Sequence, residues 1–108
     1  QKGGTYKITL ELYHEGLRLP EIAEKRGMAK STVANHLVKL FEDGEAIDLN
    51  QFIDKAQINR VLDAVKSTKV ADRLTPIFEA LNQEVPYEDI RFSLGILQRE
   101  GKLSEFAV

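Results

Sequence analysis

Four cations, Lys25, Arg26, Lys30 and Lys39, stand in a stretch, residues 25 to 41, that holds no Asp or Glu. Cations grouped this way can neutralise phosphates of a nucleic-acid backbone, and the free N–H groups of a helix starting at Lys30 can bind one more. Between them lie Ser31, Thr32, Ala34, Asn35 and Val38. Asn35 suits the edge of adenine, while Ala34 and Val38 suit thymine methyl groups. No arginine stands among these five, so the commonest bidentate reader of guanine is missing and base readout should be weak. The competing account of the same residues is a solvated helix face, with Val38 serving a contact to another protein.

Whether these side chains can act together depends on the elements that hold them. In "LPEIAEKRGMAKSTVANHL", Pro20 suits a first helical turn, Glu21 complements the positive end of that helix, and Gly27 can take the positive φ of a sharp turn. Ala23 is small where two helices must cross, and Ile22, Met28, Val33 and Leu37 are apolar where a three-helix core needs them. That set predicts a helix-turn-helix. At about 100° per residue, turning Val33 inward turns Ser31, Ala34, Asn35 and Val38 outward, with Thr32 and Lys39 on a flank. Ala29 stands where Ser or Thr would cap the third helix, at a cost of about 1 kcal/mol.

Apolar spacings of three and four recur along the whole chain, which predicts an all-α fold of about six helices. The first runs from Thr5 to Glu15 with Ile8, Leu12 and Tyr13 on one face, the second to Gly27, and the third from Lys30 to Phe41. "EAIDL" suits a short wing strand, which would make the first unit winged-helix-like. Asp54 suits the cap of a fourth helix, Ala71 to Leu81 reads as a fifth with Pro76 as kink or start, and "VPYEDI" opens a sixth. The chain is therefore read as one helical domain, 1–108, with a helix-turn-helix unit at 5–49, a second helical unit packed on it at 54–103, and residues 1–4 as the remnant of a linker. Leu37 and Leu94, Leu40 and Leu97, and Gly44 and Gly101 share one offset, which either an internal repeat or any two helices followed by turns would give.

Composition sets limits. A net charge of −2 argues against a dedicated, strongly basic nucleic-acid binder, so local charge must carry any such contact. With no cysteine, thiolate metal sites and disulfides are impossible. Of the two histidines, His36 sits at the border of the inward face and reads as a packed core side chain, and His14 has no second ligand at helical spacing. "KGGTY" lacks a downstream GK[ST], no nucleophile and base are set together, and no apolar run is long enough to span a bilayer. The chain is expected to be cytoplasmic, with no catalytic residues, no cofactor, no metal, no membrane and no small-molecule substrate.

With these motifs in place, "EGLRLPEIAEKRGMAKSTVANHLVKL", "GEAIDL", "LTPIFEAL" and "YEDIRFSL" together resemble the helix-turn-helix domain at the C-terminal end of RecQ-family ATP-dependent DNA helicases, from about Leu10 to Leu103. "STVANHL" alone also resembles the recognition helix of LuxR-type regulators, but that likeness ends there. The RecQ resemblance implies an accessory domain of a DNA repair or recombination helicase, near the nucleoid in a bacterium. ATP and Mg²⁺ would belong to a motor these residues do not contain. DNA is the implied partner, held weakly and with low specificity through Lys25, Arg26, Lys30, Ser31, Thr32, Ala34, Asn35, Val38 and Lys39. The competing class is a module for self-association or for docking a protein or the helicase core through an exposed apolar patch that includes Val38; a transcription regulator would need a dimer with spaced half-sites. Whether Arg91, Arg99 and Lys102 add contacts is left open by the sequence.

Overall fold

Six α-helices account for most of the described residues, 2–106, of the computed structural model: α1 (Lys2–His14), α2 (Leu19–Arg26), α3 (Lys30–Glu42), α4 (Lys55–Thr68), α5 (Leu74–Ala80) and α6 (Tyr87–Arg99). Their ends follow from local chemistry. Pro20 lies in the first turn of α2, and the Glu21 carboxylate accepts the Arg18 backbone N–H at 2.6 Å. Gly27 closes α2 at φ 63°, in the left-handed region, so that the Met28 N–H reaches the Ala23 carbonyl at 2.9 Å. Asp54 caps α4 by accepting from the Gln57 N–H at 2.8 Å. Pro86 is the N-cap of α6, with Glu88 and Asp89 in the first turn. Pro76 falls in the first turn of α5, which starts at Leu74, later than the expected Ala71.

Ala29, the N-cap of α3, has the extended backbone a cap requires (φ −67°, ψ 150°) but no side-chain hydrogen bond. Ala29→Ser needs no backbone change to supply it. We expect a gain of about 1 kcal/mol and a rise in Tm of about 4 °C, read by thermal denaturation.

Two sequence expectations are corrected. Lys2–Gly4 belong to α1 and not to a linker; Gln1 lies outside the described residues. "EAIDL" forms no wing strand: among the described residues no strand occurs, and a 3-10 turn follows at Leu49–Gln51. Ile47 and Leu49 are drawn into the core, and the Asp48 N–H is taken by the Tyr13 hydroxyl at 2.9 Å rather than by a partner strand.

The helices pack as two groups of three. In the first, α1 and α2 rest on α3; in the second, α4 and α5 rest on α6; and α3 then packs along α6. Asn35 meets Arg91, Val38 meets Gly95, and Phe41 meets Arg99, so α3 and α6 run parallel and stay in step. The shared offset of the leucines and glycines thus returns as the register of the central helix pair. Gly95 is what lets the pair close, since a Cβ there would stand 2.9 Å from Val38 Cγ1 and 3.2 Å from Leu49 Cδ1. One hydrophobic cluster draws on both groups, with Ile22, Val33, Leu37, Val61, Ile77, Ile90, Phe92 and Leu97 inside it. Each of the larger side chains there contributes about 1.5–3 kcal/mol of burial. No helix among the described residues is long and apolar enough to cross a membrane.

Candidate nucleic-acid interface

The α3 surface is set by how many neighbours it has. Val33, Ala34, Leu37, Val38 and Leu40 are buried, with Val38 against Gly95 of α6, and His36 packs against Thr9 and Tyr6 of α1. Only Thr32, Asn35, Lys39 and Glu42 form an exposed stripe, at the spacing of three and four that keeps residues on one side of a helix. Lys25, at the end of α2, and Lys30, at the start of α3, are also exposed, and Ser31 is half-buried beside them.

This corrects the expected outward face. Ala34 and Val38 cannot meet thymine methyl groups, because both are fully buried, Val38 against Gly95 of α6. The same burial removes the apolar patch on which docking through Val38 depended. Asn35 is exposed, but its Oδ1 accepts from Arg91 Nε at 3.0 Å. Lys39 is exposed and pairs with Asp43 at 3.6 Å across one helical turn, a contact worth little in water.

Arg26 is a brace rather than a free cation. Its Nη1 donates to the Thr5 carbonyl and to Thr9 Oγ1, both at 2.7 Å, and its Nη2 donates to Thr5 Oγ1 at 3.1 Å. Thr9 is fully buried and shares a 3.0 Å hydrogen bond with His36 Nδ1, and the Tyr6 ring packs 4.8 Å from the imidazole. Arg26 can only donate, so the Thr9 hydroxyl accepts from it and keeps a further lone pair and its own proton for the His36 ring. Burial, and then the Arg26 charge, hold the His36 pKa below its ordinary value. This polar pairing also turns α1 on its axis: Thr9 faces inward and Ile8, expected inside, is 46% exposed.

The N-terminal end of α3 is less favourable to phosphate than the sequence implied. Since α3 and α6 run parallel, Lys30 lies near Asp89 in the first turn of α6. Asp89 is raised above its ordinary carboxylate pKa by burial and by the neighbouring Glu88, partly offset by a 3.3 Å hydrogen bond from Gln57; Asp54 raises it further and Lys30 lowers it. Lys30 is therefore shared between any phosphate and this carboxylate group.

Shape adds a second restriction. The major groove of B-DNA is about 12 Å wide and admits one helix of about 10–12 Å diameter. Two helices packed side by side, with axes about 8–10 Å apart, are nearly twice that width. With α1, α2 and α6 packed against it, α3 leaves the Thr32, Asn35, Lys39 and Glu42 stripe to face a partner.

Residues 5–94 match a family profile described as a helix-turn-helix domain. The chain is a helix-turn-helix domain. Its sequence is also 29% identical over 117 aligned residues to the ATP-dependent DNA helicase Pif1 of Psychrobacter sp. (strain PRwf-1), an alignment covering 83% of this chain and 18% of that protein. The domain thus spans under one fifth of the length of the relative it matches. No solved structure matches it. Among the described residues, no group of three His, Cys, Asp or Glu side chains is placed to hold a metal ion.

Proposed function

We propose that this helix-turn-helix domain is the accessory, DNA-holding part of an ATP-dependent DNA helicase, contacting the phosphate backbone and reading little sequence. The observation that carries this reading is the division of the α2–α3 surface: Lys25, Lys30, Lys39 and the Thr32 hydroxyl are exposed, while the two side chains suited to base methyl groups are buried. Contacts of that kind fix register and orientation but carry no base information. The resemblance to RecQ C-terminal domains and the identity to a Pif1 helicase both support attachment to a helicase motor, and a RecQ-type parent acting in repair or recombination is the finer form of the proposal. ATP and Mg²⁺ would serve that motor, and this domain would keep DNA beside it inside the cytoplasm. The domain itself acts as a binding module.

The test is a fluorescence-anisotropy titration of single-stranded, duplex and forked DNA across a salt series. Lys25→Glu combined with Lys30→Gln should weaken binding by about tenfold at low salt and flatten the salt dependence by about one to two contacts' worth. Gln is chosen at position 30 because a new carboxylate beside Asp89 would perturb the fold as well as the surface. Unchanged affinity would remove this surface from the proposal.

A further inference from the structure

We propose that the valley between α3 and α6 binds the phosphodiester backbone of a single nucleic-acid strand through Arg91 and Arg99. The inference rests on the DNA-holding reading and adds to it a second contact and a kind of nucleic acid. The valley is an open groove of about 810 Å³, lined by Asn35 and Glu42 from α3, by Arg91, Gln98 and Arg99 from α6, and by Asp72 from the segment that leads into α5.

Both arginines are fixed in place without losing their charge. Arg91 Nε donates to the Asn35 amide oxygen at 3.0 Å. Arg99 Nη2 donates to the Phe41 carbonyl at 2.7 Å, and its guanidinium carbon lies 3.9 Å from the centre of the Phe41 ring. Every one of these partners is neutral. Among the described residues no carboxylate lies within 4.0 Å of either guanidinium, whereas Lys39, Arg60, Arg73 and Lys102 all have one. A guanidinium carries five N–H donors in a rigid fork, so one bond each leaves most of the fork for a phosphate. Holding such side chains in advance also lowers the entropy lost when a ligand arrives.

The two groups stand eight residues apart on α6, about 12 Å along its axis, so they reach separate phosphates of one strand. A single strand can lie in a valley between two packed helices, while the broad convex surface of a duplex rests on their crests. No aromatic ring occurs in the lining among the described residues, so bases find no stacking platform and the contact is to backbone alone. Such a contact is tolerant of sequence and weakened by salt. Glu42 and Asp72 oppose it. Their presence fixes the sign of a second test, because removing their charge must strengthen a phosphate contact and has no reason to strengthen a contact that is merely structural.

The experiment measures anisotropy of labelled oligo-dT and of a duplex of equal length, using the full 108-residue chain, with urea unfolding run on each variant. Arg91→Gln with Arg99→Gln is expected to weaken oligo-dT binding by about tenfold or more and to reduce the salt slope by about 1.4, the value for two single-strand phosphate contacts, while duplex binding changes far less. Glu42→Gln with Asp72→Asn is expected to tighten oligo-dT binding several-fold, and this pair remains decisive should the arginine variant fold poorly. If Lys25→Glu with Lys30→Gln weakens binding while neither groove pair changes it, the valley is overturned and the DNA-holding reading stands. Wild-type chain that binds neither DNA at low salt overturns both. Poly-glutamate competing as well as oligo-dT at equal charge would make the valley a site for acidic protein segments and overturn the strand assignment.

Discussion

Placing one methyl group at Gly95 is expected to destabilise the domain by about 1 kcal/mol, and shortening Val38 in the same chain is expected to cost less than it does beside an unchanged Gly95. A glycine inside a helix costs about 1 kcal/mol relative to alanine, so at an open site Gly95→Ala would stabilise. Here the new Cβ would stand 2.9 Å from Val38 Cγ1 and 3.2 Å from Leu49 Cδ1. Val38 is fully buried and branched at Cβ, so it has no free rotamer in which to retreat. Overpacking of this kind costs about 1–3 kcal/mol and outweighs the gain in helix propensity. Val38→Ala alone should cost about 2 kcal/mol through the space it leaves. In the double variant each change relieves the other, so the two costs should fall short of additivity by at least about 1 kcal/mol. Gly95→Leu, with no such relief, should cost about 4 kcal/mol or more. Urea denaturation of the four chains in the Val38–Gly95 cycle measures the coupling. Strictly additive costs would mean that α3 and α6 do not meet through Gly95, and the account of the buried α3 face would fall with it.

That contact also explains where sequence reasoning stopped. Helix ends were legible because they are local: Pro20, Gly27, Asp54 and Pro86 act within a turn of their own positions. The burial of Val33 and Leu37 was legible because α1 and α2 lie close in the chain and share their periodicity. The fate of Ala34 and Val38 was not, since a helical wheel gives an angle around α3 and says nothing of a helix arriving from the far end of the chain. A signal was present in the shared offset of Leu37 with Leu94 and Leu40 with Leu97, together with the lone Gly95 inside α6. Two small or branched apolar residues on a face otherwise fit for water also asked for a partner within the chain. The free charge of Arg91 and Arg99 could not be read this way, because it depends on which acceptors lie within reach once α3 and α6 are packed.

Arg26 shows the same limit from the opposite side, and its removal is expected to cost stability before it costs DNA binding. A cation next to Lys25 reads from sequence as a phosphate contact, but its guanidinium joins α2 to α1 through Thr5 and Thr9. Hydrogen bonds from a charged donor contribute about 1.5–3 kcal/mol each, less where water reaches them. Arg26→Met should therefore lower stability by about 3 kcal/mol, measured by urea unfolding, with little change in DNA affinity when both chains are folded. It should also shift His36 upward toward its ordinary pKa, since one of the two causes holding it down is the Arg26 charge. In the parent chain the depressed His36 pKa sets a pH dependence. Above the ordinary value of 6.5 both folded and unfolded chains keep the imidazole neutral, and its contribution is fully present. As pH falls below 6.5 the unfolded chain takes up a proton that the folded chain resists, so stability declines until the pH passes the lower folded value. Asp89, shifted upward instead, works in the other direction, losing stability as pH rises from 3.8 through its folded value. His36→Gln should flatten the decline that begins near pH 6.5. A decline equally steep in His36→Gln would place its origin outside the Thr9, Arg26 and His36 network.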